Sequence, residues 1–203
     1  MKKLLTIFAL FASMAVASAQ IGIIGGLTSS KANLTNAAKD VKNVALYHAG
    51  LTYKIDLGAG FAVQPSLIYQ VKGAKIENIG STSVEQLRSG FVELPIGFQW
   101  GPDLLAFRPY GFVEPFVGYR ITSSDRGNSS FADWSKQAKN KIEYGFGLGG
   151  GIEIASHFQI SVQWFKNLGT MFGESAKSAD TTWNDVKDFK NFQGIKVSLA
   201  ILF

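Results

Sequence analysis

Gly194-Ile195-Lys196-Val197-Ser198-Leu199-Ala200-Ile201-Leu202-Phe203 closes the sequence, and its reading decides the fold. Ile195, Val197, Leu199, Ile201 and Phe203 fall on one side of an extended chain. Gly194, Lys196, Ser198 and Ala200 fall on the other, with Leu202 the exception. Side chains alternate faces along a strand, so this segment has one apolar face and one small or polar face. Such a strand pairs on both edges or leaves a sticky edge exposed. It reads as the closing strand of a barrel.

Working outward, the same alternation recurs at 21–28, 44–57, 61–72, 89–100, 109–122, 142–155 and 158–167, which with 192–203 makes eight segments. No helical period competes over comparable lengths. Short connections follow the second segment (Gly58-Ala59), the fourth (101–108) and the sixth (Ser156-His157). Long polar ones follow the first (29–43), third (73–88), fifth (123–141) and seventh (168–191). Long and short loops therefore collect at opposite ends, with both termini at the short-turn end, as in outer-membrane barrels. Most segments also have the ~9–11 residues that a tilted strand needs to cross a bilayer. The expected fold is all-β, an eight-stranded antiparallel up-and-down transmembrane β-barrel. Val197, Leu199, Ile201 and Phe203 are its outer-membrane targeting strand.

The remaining bounds agree with one exported domain. At 203 residues, one domain is the simplest division. Cysteine is absent, which excludes disulfides and thiolate metal sites. His48 and His157 lie far apart in sequence and make no obvious metal pair. The net charge of +5 falls to +3 without Lys2 and Lys3, and is too scattered for nucleic acid. Lys2-Lys3, an apolar run over 4–16 and Ala17-Ser18-Ala19 form the three parts of an export signal. That run is shorter than the ~20 residues of a spanning helix. The expected division is a signal peptide at 1–19 and a barrel domain at 20–203.

Alternation alone leaves two arrangements, because a soluble lipocalin-like carrier would turn its apolar face inward around an apolar ligand. Charge placement favours the membrane. Every second residue over 47–57, 61–71, 92–100, 113–121, 142–154 and 158–164 forms a column without a charge, and the second of these columns ends at Val71. Lys166 is the first charge in phase with such a column, past Trp164. Aromatic residues stand near many column ends, as interfacial girdles require. The opposite faces hold few charges and many glycines, Gly145, Gly147, Gly149 and Gly151 among them. A water-exposed exterior is rich in lysine and glutamate, whereas a narrow lumen mixes small and large side chains. Pro65, Pro95 and Pro115 cannot donate to a ladder and are expected at local breaks or bulges.

Several short motifs, in order, resemble the PorT-like or "porin family" eight-stranded outer-membrane barrel domain. They are Gly22-Ile23-Ile24-Gly25-Gly26-Leu27, Tyr47-His48-Ala49-Gly50-Leu51, and the stretch from Gln64-Pro65-Ser66-Leu67 to Val71-Lys72-Gly73. Val92-Glu93-Leu94-Pro95-Ile96 and Pro109-Tyr110-Gly111-Phe112 with Val117-Gly118-Tyr119 complete the series. The resemblance implies fold and location more than activity, since such folds carry differing roles.

On the inward faces the charges sort into three expected tiers. Lys54, Asp56 and Glu153 lie near the short-turn mouth. Glu93, Glu114 and Lys196 lie near mid-height beside Gln163. Lys72, Arg120 and Glu143 lie near the other mouth with His48. Both signs occur in each tier, so a polar plug that holds strand register is one reading and a gated path for protons or small ions another. One of Glu93 and Glu114 is expected to contact Lys196 or another inward cation. Eight strands leave no general diffusion pore. No catalytic, cofactor or metal site is expected. His157 sits in a turn, and the glycines of 145–151 lack the lysine and helix of a phosphate loop. The expected role is structural, binding or accessory, with a PorT-like secretion factor and the soluble carrier as alternatives. Implied partners are outer-membrane lipid and lipopolysaccharide, the latter at loop lysines Lys31, Lys39, Lys42, Lys136 and Lys139. Periplasmic chaperones and the barrel-assembly machinery serve biogenesis. The long loops, with Phe172, Trp183 and Phe189 in the last, form a partner-binding tip or a packed cap.

Overall fold

A computed structural model describes residues 19–33, 40–42, 44–77, 84–126, 141–168 and 191–203. The export signal, apart from Ala19, lies outside the described residues, as do Phe172, Trp183, Phe189, Lys39, Lys136 and Lys139. The elements are β1 (Ala19–Asn33), β2 (Asp40–Lys42), β3 (Val44–Gly58), β4 (Phe61–Glu77), β5 (Val84–Trp100), β6 (Phe107–Arg126), β7 (Ile142–Ile154), β8 (Phe158–Asn167) and β9 (Asn191–Leu202). The pairings are antiparallel and close on themselves, β4 joining β5 and β1 joining β9. β2 extends the line of β3: it pairs with Lys75–Glu77 of β4, while β3 pairs with β1 and the lower part of β4. The two are parts of one barrel strand, so the closed barrel has eight.

Four strands run farther than the alternation suggests. β1 reaches Asn33, β4 Glu77, β5 starts at Val84 and β6 reaches Arg126. The hydrogen-bonded ladder continues above the apolar band, where nothing selects for alternating hydrophobicity. At the other end, β6 begins at Phe107 rather than at 109. The short turns there are tight: Gly58, Ala59 and Gly60 all have positive φ, as do Ala155 and Ser156. His157 N–H donates to Ile154 O across the latter pair, at 3.1 Å, which makes it a primed hairpin turn.

The faces divide cleanly. On β9, Ile195, Val197, Leu199, Ile201 and the terminal Phe203 are exposed, while Lys196, Ser198, Ala200 and Leu202 are buried. Leu202, the exception to the alternation, is an inward residue. The same holds around the wall, with Tyr47, Leu51, Leu67, Leu94, Val113, Tyr144 and Trp164 outside and Lys54, Lys72, Glu93, Glu143 and Glu153 inside. The interior among the described residues is thus charged and hydrogen-bonded, unlike the apolar cavity that a lipocalin-like carrier needs. A one-residue slip would send every inward charge outward. On a lipid-facing wall each buried lysine would then cost about 2–4 kcal/mol at mid-depth, which locks the register.

The three prolines sit where the ladder skips rungs. Pairing of β3 with β4 passes from Thr52↔Ser66 to Ile55↔Val63, opposite Pro65. Between β4 and β5 it passes from Pro65↔Ile96 to Ile68↔Glu93, spanning Pro95. Between β5 and β6 it passes from Pro95↔Phe116 to Phe98↔Val113, spanning Pro115. The register is the same on both sides of each gap, so these are breaks and not bulges.

One position departs from its column. Val71, in phase with the outward face, is buried against Leu46 beside Tyr69. Above His48↔Gln70 the β3–β4 ladder is open, and the contact forms in that gap. Gly73 of β4, without a β3 partner there, is satisfied from inside: the Ser30 hydroxyl donates to its carbonyl at 2.8 Å and accepts from its N–H at 3.0 Å.

Candidate functional site

The candidate site is the lumen, built from the inward side chains of all eight barrel strands. Its upper plug centres on Lys72 of β4. The ammonium is fully buried and bridges Glu93 of β5 at 2.9 Å and Glu143 of β7 at 2.8 Å. Lys72 also donates to Asn167 Oδ1 at 3.3 Å, and Asn167 Nδ2 donates to Glu143. Around the ammonium stand the rings of Phe116, Phe165 and Phe91, at 4.5, 5.2 and 5.4 Å to their centroids. Ring faces add cation–π attraction where water is excluded. Gly118 lies between the two glutamates in the register, and a side chain there would strike both. Arg120 is buried in register with Phe91.

Below this plug, Glu114 of β6 accepts from Lys196 of β9 and from Gln163 of β8, each at 2.8 Å. His48 bonds Ser198 at 2.9 Å and Thr28 at 3.2 Å. A cavity of about 30 Å³ lies among Glu114, Gln163, Lys196, Ser198 and Gln64. One water needs roughly 10–15 Å³, so the space suits about two or three. It is no pore.

The short-turn mouth is closed by a third group. Lys54 bridges Glu153 at 2.8 Å and Asp56 at 3.0 Å. Arg108 reaches Glu153 at 3.5 Å, donates to Gln99 at 3.1 Å and to the Gly60 carbonyl at 2.9 Å, and lies against the Tyr110 ring. Gln159 donates to Glu153 at 2.8 Å. A chain of bonds continues upward from Gln99 to Gln64, Thr52 and Ser66, each 2.6–2.8 Å long. Every buried carboxylate of the three groups has a cation within salt-bridge distance, which is what burial of charge demands.

Two placements correct the sequence reading. Glu93 belongs with Lys72 and Glu143, not at mid-height with Glu114 and Lys196. His48 bonds the wall beside Lys196 and not the Lys72 group. The reason is strand tilt: each strand is staggered against its neighbour, so equal counts from the ends do not give equal heights. Arg108, read as part of a connection, is an inward residue. Its phase with Tyr110, Phe112 and Glu114 was the available signal. Also unread were the rings that fill the lumen. Tyr110, Phe112 and Phe116 of β6 lie over β7 where Gly151, Gly149 and Gly145 carry no side chain, and Gln163 occupies the place left by Gly147.

Removing Arg108 tests the mouth group. Glu153 keeps Lys54 and Gln159, so Arg108→Ala is expected to cost about 1–3 kcal/mol, read as a lower urea midpoint for loss of the compact barrel band on gels. An unchanged midpoint would show that the guanidinium contributes nothing there.

A family model described as "Outer membrane protein beta-barrel domain" matches residues 11–173. Among curated proteins no match is found. Several solved structures are similar to this chain. Ail, the attachment invasion locus protein of Yersinia pestis, is 12% identical, with 92% of this chain and 99% of that one covered and a TM-score of 0.45. Neisserial surface protein A is 9% identical, with 90% and 97% covered and a TM-score of 0.46. OprG of Pseudomonas aeruginosa is 12% identical, with 92% and 96% covered and a TM-score of 0.43.

Proposed function

The chain belongs to the outer membrane protein β-barrel domain family, and from that premise we propose that it is a closed, non-enzymatic barrel with a structural, binding or accessory role, its loops facing outward. A signal peptide at 1–19 carries it across the inner membrane. Short turns and both termini then face the periplasm, and the long connections face the outside. Lipopolysaccharide and protein partners meet the barrel at those loops. Within this reading the lumen groups led by Lys54, Glu93, Glu114, Arg120, Glu143, Glu153 and Lys196 hold the wall together and bar passage.

The observation that carries the reading is the Lys72 plug. A fully buried ammonium held between two glutamates and three phenylalanine rings occupies the lumen at that level, which supports a barrel without a continuous aqueous path. Moving an ion past it means breaking both bridges, and a buried pair resists this strongly. The test is planar-bilayer recording of the purified chain. No sustained conductance is expected at neutral pH and moderate voltage. Regular unitary steps would overturn the plug and favour the ion-path reading. A narrower role as an accessory factor in protein secretion rests on the PorT-like motifs. Co-purification of secretion components with the detergent-extracted barrel would support it.

A further inference from the structure

The outer wall carries a groove that the lumen network does not explain. Three local features make it. Gly90 of β5 has no side chain where Arg88 and Val92 flank it on the same face, and a Cβ there would meet the hydroxyls of Tyr69 and Thr122. Tyr69 of β4 therefore lies across Gly90 and hydrogen-bonds Thr122 of β6 at 3.2 Å. The β5–β6 register shifts at Gly90/Phe91. Finally, the β3–β4 ladder is open above His48↔Gln70, and Leu46 and Val71 fill the gap. The result is a trough of about 340 Å³ lined by Leu27, Ala45, Tyr47, Tyr69, Val71, Arg88 and Gly90. An apolar cavity of ~150 Å³ already takes up benzene, and ligand sites begin at roughly 300 Å³.

What occupies the trough follows from where it opens. It lies on the face that meets hydrocarbon, toward the long-loop end. Tyr47 and Tyr69 stand there with ring centroids 6.3 Å apart, at the level of an interfacial girdle. Arg88 pairs in register with Gly73, farther toward that end than Tyr69. An apolar trough that ends in a guanidinium at the girdle is complementary to an acyl chain joined to an anionic head. Guanidinium matches phosphate through its planar fork. On the outer leaflet of an outer membrane the lipid of that description is the lipid A of lipopolysaccharide.

We propose that the trough binds one lipid A molecule, an acyl chain lying along Leu27, Tyr47 and Tyr69 and a phosphate adding to the contacts that Arg88 already makes. The inference rests on the outward placement of the long loops proposed above. The test uses the full mature chain, extracted in detergent and mixed with purified lipid A, with retained lipid counted by native mass spectrometry. Wild type is expected to hold one lipid A. Arg88→Gln is expected to weaken retention about tenfold, the usual scale for one charge-assisted contact. Ala45→Trp, an exposed position that leaves the lumen untouched, is expected to abolish it by filling the trough. Both variants should keep heat-modifiable migration. Wild type that retains no lipid A, equal retention in all three proteins, or equal affinity for phosphatidylglycerol in competition would each overturn the inference. A chain that fails to fractionate with outer membranes would instead remove the membrane reading beneath it.

Discussion

Lys72→Ala is expected to destabilise the barrel by about 3–5 kcal/mol, the largest loss among single lumen substitutions. The change leaves Glu93 and Glu143 facing one another across Gly118, both buried, with Asn167 still donating to Glu143. It also removes the methylene stem and the cation that three rings surround. With a urea slope of ~1–3 kcal/mol/M, the midpoint for loss of the heat-modifiable band should fall by at least about 1 M. The triple variant Lys72→Met, Glu93→Gln, Glu143→Gln should recover most of it, because replacing a whole buried ion network is far cheaper than halving it. A Lys72→Ala barrel as resistant to urea as the parent would sink this account of the plug.

A second large effect is expected from a single methyl group on β7. In Gly149→Ala the new Cβ would collide with the Val162 carbonyl and with the Phe112 ring. The carbonyl belongs to a paired strand and cannot swing aside, so the ring and the β7–β8 ladder must both give. Overpacking of this kind costs about 1–3 kcal/mol, occasionally more. The control is Gly111→Ala on the adjoining strand. Its Cβ would point outward, with only the Gly149 carbonyl near it at 3.9 Å, so stability should hold or rise slightly. Refolding into detergent, followed by gel shift, measures both. Equal yields and midpoints for the two alanines would refute the claim that the β7 glycines make room for the β6 rings.

The two expectations differ in how far the sequence anticipates them. Spacing alone places Gly145, Gly147, Gly149 and Gly151 on one inward face, and a narrow lumen suggests a reason for small residues there. Which rings they receive depends on β6 crossing β7 in one register, with Glu114 against Gly147 and Phe112 against Gly149. Lys72 is likewise an inward residue by phase. Its partners are not legible, because they sit on β5 and β7, and the stagger between strands decides which rows share a height. Glu93 illustrates this: a count along its strand puts it beside Glu114 and Lys196, and the stagger brings it to Lys72. Arg108 differs: it shares the inward phase of Tyr110, Phe112 and Glu114, but it stands beside Pro109 at the edge of a turn, where nothing in the sequence marks that the strand has begun.

By itself, then, the chain's period of two and the positions of its charges determined eight strands, their order of loop lengths and which side faces lipid. Those follow from local rules, since a strand alternates whatever surrounds it and a charge avoids hydrocarbon wherever it lies. The meeting of Lys72 with Glu93 and Glu143, the ladder gap closed by Ser30 and the trough over Gly90 were decided only on closure. They depend on tilt and shear, which are properties of the whole ring of strands and of no segment in it.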